Sequence, residues 1–283
     1  PQPGLGGREL YWPRGKVLGG SSSINAMMYV RGHRSDYDRW RDAGNAGWGY
    51  DDVLPLFKRS EHQERGPSKF HGKDGPLNVA NVRTLNPLSK AFVESAVERG
   101  LARTDDFNGA DQDGAGFYQV TQLKGRRHSA AAAFLTPILG RPNLTVETGA
   151  LAHRVLIENG RAVGVDYARH GGVSVARADR GVILAGGAVN SPQLLMLSGI
   201  GPADHLREHG IPVVVDAPEV GGNLQDHLLV VVAHQSRRPV GLANAESLPN
   251  IARYLMFRTG PLASNIGEAG AFIRTSDGLE APD

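Results

Sequence analysis

The sequence predicts an α/β fold: a parallel sheet with a small antiparallel sheet beside it, leading into the start of an α+β segment. Three stretches carry that expectation. Val182-Ile183-Leu184-Ala185 is a continuous apolar run ending in Gly186-Gly187, the pattern of a strand buried on both faces of a parallel sheet. Residues 143–180 change to period two around Asn159-Gly160, a pair that supplies both positive-φ positions of a tight hairpin turn. In Gly15–Asn25 two adjacent glycines meet three serines, and Ile24, Met27 and Met28 follow at i, i+3 and i+4. That spacing predicts one buried face of a helix over 21–30.

Taken in order, residues 1–14 read as an approach loop of Pro, Gly and polar residues around Tyr11-Trp12. After the helix at 21–30, a short helix over 35–42 carries Tyr37 and Trp40. Asp51 caps another, with Val53, Leu56 and Phe57 on one side. Residues 63–84 are rich in Gly, Pro and His and read as irregular. Asn86-Pro87 starts a helix with proline where its missing N–H costs nothing. Leu88, Phe92, Val93, Ala96 and Val97 form its apolar face, and Gly100 ends it. Residues 104–127 read as a long polar loop, a kind that in compact domains tends to be functional or mobile. His128–Leu135, with four alanines, reads as a helix.

Leu144 and Val146 suggest a strand, Val155–Tyr167 a hairpin and Gly171-Gly172 a further turn. Ser191 caps the next helix, Pro192 starts it and Gly199 stops it. Leu194–Leu197 point all round, so that helix reads as buried. A short helix over 203–209, an edge strand over 212–215 and a strand over Leu228–Ala233 follow. A helix over 250–257 and a strand at Phe272-Ile273 complete the reading.

Composition excludes several classes. The 283 residues suffice for a substantial core. There is no cysteine, hence no disulfide, thiolate zinc site or cysteine-held iron–sulfur cluster. Thirty-one basic against 29 acidic residues give a net charge of +2, and the basic residues are scattered apart from Arg126-Arg127 and Arg237-Arg238. A nucleic-acid surface needs a denser stripe. No stretch approaches the ~18 apolar residues of a membrane span, and no secretory signal opens the chain.

Two catalytic motifs match by accident. His205-Leu-Arg-Glu208-His209 fits a His-x-x-Glu-His zinc pattern, but the helix is short and no third ligand is evident. Arg14-Gly15-Lys16-Val17 hints at a phosphate loop, yet Leu10 stands at the first glycine and Val17 at the hydroxyl position. No Gly-x-Gly-x-x-Gly dinucleotide turn is present. Residues after Gly4, Gly114 and Gly199 each fail at the third glycine.

Gly15-Lys16-x-Leu18-Gly19-Gly20-Ser21-Ser22-x-Ile24-Asn25, with Tyr29, Gly32 and Asp38, resembles the first signature of the glucose–methanol–choline (GMC) flavin oxidoreductases. Gly187-Ala188-x-x-Ser191-Pro192-x-Leu194-Leu195-x-x-Ser198-Gly199-Ile200-Gly201 resembles the second. The wording of Pro13–Lys16, Tyr29–Gly32 and Gly221–His227 is similar to the bacterial choline dehydrogenase branch, and the resemblance runs over nearly the whole chain.

It implies a GMC-type FAD-binding α/β domain with the start of a substrate-binding α+β domain. The implied division is FAD-binding at 1–60, substrate lid at 61–140, FAD-binding again at 141–227, and substrate-binding at 228–283. FAD is the implied cofactor, with Val17, Gly19, Gly20, Ser21, Asn25, Ala26, Met27 and Met28 around the pyrophosphate and isoalloxazine. Val155 meets the adenine, and Asn25 donates toward the N1–C2 carbonyl edge. The strand-end turn Gly186–Ala188 lies near the flavin or supports it. Glu268 aligns with a glutamate near a cationic substrate head, or makes a structural ion pair. The twin-glycine bend and the Ser191-Pro192 helix are expected to converge on one flavin ring.

The implied reaction is oxidation of choline or another primary alcohol by hydride transfer to flavin N5, with an unspecified electron acceptor. A cytoplasmic location is implied, compatible with peripheral association at the inner face of the membrane. The base histidine and its His or Asn partner match no residue here and are expected after Asp283. The start at Pro1 rather than Met reads as an internal piece, with the dinucleotide turn before it. A truncated, non-catalytic segment that binds FAD weakly or not at all is the alternative.

Overall fold

The computed structural model describes residues 3–283, so of the approach stretch Pro1 and Gln2 lie outside the described residues. The chain divides into two compact units, Pro1–Leu144 with Gln235–Asp283, and Thr145–His234. The mixed α/β character holds, with parallel and antiparallel pairing both present.

The first unit begins with helices α1 (Arg34–Asp42) and α2 (Tyr50–Ser60). Both N-termini are fixed by side chains: His33 accepts from the Ser35 N–H, and Asp36 accepts from the His33 N–H at 2.7 Å. Gly49, not Asp51, caps α2, because Asp52 reaches back to the Gly49 N–H at 3.1 Å. Tyr37, Tyr50 and Val53 form a buried cluster, backed by Leu54 and Phe57. Tyr37 meets Trp40 and Phe57 edge-on at 5.5 and 5.7 Å, the geometry the ring quadrupole favours.

Strands appear where the sequence reads as irregular. β1 (Glu61–Gln63) pairs in parallel with β2 (Leu77–Asn81). Helix α3 (Pro87–Glu98) then runs as expected, Asn86 accepting from the Leu88 N–H at 2.8 Å. Of its expected apolar face Val93 is fully buried, while Leu88 and Phe92 are about half exposed. The expected loop 104–127 instead supplies β3 (Gly114–Phe117), β4 (Gln119–Val120), β5 (Gln122–Leu123) and β6 (Arg126–Arg127). β4 pairs with β2, Ala80 opposite Val120. Val79, Ala115 and Val120 are completely buried. Ala131–Leu135 forms only a turn of π-helix, followed by a 3₁₀ turn over Thr136–Ile138.

A buried ionic chain ties β1 to the segments around Arg31, His71 and Asp106. Glu61, wholly buried, accepts from Arg31 and lies 2.6 Å from His71 Nδ1, while His71 Nε2 lies 2.8 Å from Asp106. Burial alone disfavours the His71 imidazolium. The hydrogen bonds to Asp106 and Glu61 outweigh it and raise the pKa to about 9.

In the second unit β7 (Leu151–Glu158), β8 (Arg161–Arg169) and β9 (Gly172–Arg177) form the expected antiparallel sheet. Asn159 (φ 51°) and Gly160 (φ 76°) make the first turn, and His170 and Gly171 repeat the device. The expected strand near Leu144 is not paired. Nor is Val182–Ala185: it is extended but has no ladder partner among the described residues, and Ile183 is 93% exposed. A strand exists only through its neighbours' hydrogen bonds.

Helix α4 (Gly187–Leu197) starts four residues before Ser191, and Pro192 lies inside it. Ser191 Oγ accepts from the Gly186 N–H at 2.9 Å, so it closes the turn before the helix rather than capping it. None of its residues is buried, which corrects the expectation of a buried helix. β10 (Ile200–Gly201), α5 (Ala203–Glu208) and β11 (Val215–Asp216) follow, β10 and β11 pairing in parallel. Leu228–Val232 are exposed and unpaired, not a strand. Back in the first unit, α6 (Leu248–Phe257) forms as expected and β12 (Ala269–Phe272) pairs antiparallel with β3. No helix among the described residues is long and apolar enough to cross a membrane.

Candidate functional site

The Gly15–Asn25 stretch is a knotted loop, not the start of a long helix. A 3₁₀ turn covers Gly20–Ser23 and stops. The three serines end it: Ser22 Oγ donates to the Gly19 carbonyl and Ser23 Oγ to the Leu18 carbonyl (2.8 Å), while Ser21 Oγ accepts from the Gly15 N–H (3.2 Å). Such local bonds compete with helix propagation. Asn25 Oδ1 then accepts from the Met27 N–H at 3.0 Å, and Met27 takes φ 59°. The expected helical face 24–27–28 does not exist. Met27 is buried, whereas Ile24 and Met28 are about half exposed.

The glycines divide by role. A Cβ on Gly15 would sit 2.2 Å from the Gly20 oxygen, and one on Gly19 2.7 Å from Ser23 Oγ and 3.1 Å from the Ala131 nitrogen. Gly15 and Gly19 are therefore needed for the loop to close. Gly20 (φ 56°) has no atom within 4 Å of the equivalent point, so its bare face is open. Val17 is 56% exposed. The N–H groups of Val17, Leu18 and Ala26 have no acceptor among the described residues.

Segment 119–131 holds the loop from behind. Thr121 N–H donates to the Met27 carbonyl, and Tyr29 N–H to the Gln119 carbonyl, both at 2.9 Å. Ala130 N–H donates to Ser22 Oγ at 2.9 Å. Arg127 Nη1 donates to Asn25 Oδ1 (2.8 Å) and to the Ser22 carbonyl (3.1 Å). In the sequence Arg127 stands out only as half of the doublet Arg126-Arg127. Nothing in the spacing of residues 25 and 127 reveals their contact.

Asn25 Oδ1 is thus occupied by two donors, which fixes the amide: its Nδ2 has no acceptor among the described residues and belongs to an exposed side chain. Of the backbone groups assigned to a ligand, those of Met27 are already committed, the N–H to Asn25 and the carbonyl to Thr121.

Glu268 lies in the same unit, 3% exposed. Its Oε2 accepts from the Asn86 N–H and its Oε1 from the Ser264 hydroxyl, both at 2.6 Å. Arg31, Arg34, Tyr50, Lys69 and Phe107 help line a cavity of about 230 Å³, and none of the site residues named from the sequence reaches it.

In the second unit Val155 is buried on β7, and its N–H donates to Ser198 Oγ at 2.8 Å. Ser198 also donates to the Leu194 carbonyl at the end of α4. The His205 and His209 rings meet edge-on at 4.7 Å, and no group of three or more metal-ligating side chains occurs among the described residues.

Residues 4–229 match the GMC oxidoreductase family. The chain is 50% identical to an alcohol dehydrogenase [acceptor] of Pseudomonas putida and 49% identical to an oxygen-dependent choline dehydrogenase of Brucella ovis. Each alignment covers 100% of this chain but 53% and 52% of the relative, so the chain spans about half the length of the curated relatives it matches. An FAD-dependent oxidoreductase from Chaetomium thermophilum superposes with a TM-score of 0.85 at 28% identity, over 96% of this chain and 51% of its own. Two gapped signatures, the knotted glycine loop and these likenesses agree, and the chain belongs to the GMC oxidoreductase family.

Proposed function

We propose that this chain carries the flavin-side machinery of an alcohol oxidoreductase that converts choline or another primary alcohol to the aldehyde. FAD is the cofactor of this family. The loop's chemistry fits it: an open glycine face for a flat ring, and backbone N–H groups and one amide donor without an acceptor among the described residues for electron-rich atoms.

In this reading Val17, Gly19, Gly20, Ser21, Ala26 and Met28 border the cofactor, with buried Met27 as the floor beneath them. Asn25 Nδ2 donates to the pyrimidine edge, where negative charge collects on reduction. Val155 borders the adenine from the second unit, and the turn at Gly186–Ala188 borders or supports the flavin. Glu268 acts through its charge on a cationic substrate head, since both of its oxygens are held by Asn86 and Ser264. When bound, FAD supplies the two-electron acceptor for a hydride leaving the alcohol's α-carbon as the hydroxyl proton departs to a base. No residue of this chain is assigned as that base.

The observation that carries the reading is the Asn25 amide, its oxygen held by the Met27 N–H and Arg127 and its nitrogen left without an acceptor among the described residues, in the same loop as the open face of Gly20. The relatives' names support an alcohol as substrate. The test is the visible absorbance of the purified protein together with choline turnover on an artificial electron acceptor. A flavin spectrum is expected, without turnover by this chain alone, since no residue of it is assigned as the base. A colourless, inert protein supports the second reading, a non-catalytic segment, which the half-length match to relatives favours.

A further inference from the structure

We infer that Arg127 is a positioning residue for the flavin: it holds and polarises Asn25, and through that amide favours the reduced cofactor. The inference rests on the placement of Asn25 at the flavin edge and adds a residue no motif marks. Arg127 is half-buried on β6, and one of its nitrogens bridges Ser22 O and Asn25 Oδ1. The two acceptors bracket the end of the glycine loop. Loss of the guanidinium therefore frees both the loop's last turn and the amide it precedes.

Two effects follow from one contact. First, orientation: a carboxamide can rotate by half a turn and present its oxygen instead of its nitrogen. The Met27 N–H and the Arg127 guanidinium converge on the same oxygen, so only the Nδ2 donor faces outward. Second, strength: a charged donor to a carbonyl oxygen makes a stronger bond than a neutral one. Electron density drawn onto Oδ1 leaves Nδ2–H more positive, and linked hydrogen bonds reinforce one another in this way. An amide so polarised interacts more strongly with an anionic acceptor than with a neutral one. The bias is therefore toward reduced FAD.

The experiment compares FAD affinity and the midpoint potential of the bound flavin in the FAD-loaded wild type, Arg127→Gln, Arg127→Lys, Asn25→Ala and the double variant Asn25→Ala/Arg127→Gln. Arg127→Gln is expected to keep FAD but lose about tenfold in preference for the reduced form, a shift of about 30 mV to more negative potential for a two-electron couple. Arg127→Lys, which keeps the charge but not the planar fork, shifts in the same direction by less. The double variant is expected to match Asn25→Ala, because Arg127 acts through that amide. An unchanged potential in Arg127→Gln, or additive shifts in the double variant, overturns the inference while leaving the flavin reading intact. If Arg127→Gln fails to retain FAD, Arg127→Lys decides: a wild-type potential overturns the inference and a more negative one supports it. A wild type that takes up no FAD overturns the reading underneath and the inference with it.

Discussion

Three glycines in one loop are not glycine for the same reason, and substitution separates them. Gly15→Ala forces a methyl onto the Gly20 carbonyl, and Gly19→Ala forces one onto Ser23 and Ala131. Gly15→Ala is expected to destabilise by more than about 2 kcal/mol, since backbone must move, and Gly19→Ala by about 1–3 kcal/mol, from its left-handed φ of 88° together with the close approach to Ser23 Oγ. Gly20→Ala meets no atom and costs only the left-handed penalty of about 1–2 kcal/mol. It places its methyl on the face proposed for the flavin, so FAD affinity is expected to fall at least tenfold while thermal stability stays closer to wild type. Thermal melts and FAD titration read the two effects separately. The sequence marked this loop because the signature is carried by its residues. It could not mark Arg127 or Thr121, whose roles arise from contacts across about a hundred residues.

His71 offers a second residue-scale prediction. Its folded pKa, about 9, lies above the ordinary value of 6.5. A raised histidine contributes stability that is complete below pH 6.5 and is lost as pH rises through 9. The thermal midpoint of the wild type is expected to fall between pH 6.5 and pH 9.5. His71→Gln is expected to be less stable at pH 6.5 by about 3 kcal/mol, the scale of a broken buried ion pair, and to show a flatter profile. A wild-type midpoint constant across that range contradicts the bridge between Glu61 and Asp106.

At the scale of elements, legibility followed the range of the interaction. Local chemistry read correctly: the Asn86-Pro87 start of α3 and the Asn159-Gly160 turn between β7 and β8. What failed depended on distant partners. β2 exists because β1 and β4 flank it, and β3 because β12 pairs with it from about 150 residues away. The serine run misled in the other direction, since Ser22 and Ser23 bonded back to the loop and ended the helix that Ile24, Met27 and Met28 suggested. Ser198 joins two elements of the second unit by accepting from Val155 on β7 and donating into α4. Ser198→Ala leaves a buried N–H without a partner and is expected to cost about 1–3 kcal/mol. Accelerated amide exchange at Val155 is the readout, and unchanged protection there contradicts the link.

For the whole molecule, family membership rests on the match over residues 4–229, and the proposed alcohol oxidation on the names of the relatives. Gly15–Met28 lies in one unit, and Val155 with Gly186–Ala188 in the other. We propose that 1–60 and 141–227 contribute to FAD binding and 61–140 and 228–283 to the substrate side. A crystal structure of the protein with FAD bound tests this most directly. The account predicts Asn25 Nδ2 within about 3.2 Å of the flavin's N1–C2 carbonyl edge, the ring against Gly20 and the adenine beside Val155. FAD bound elsewhere, with the Asn25 amide still facing solvent, would contradict it.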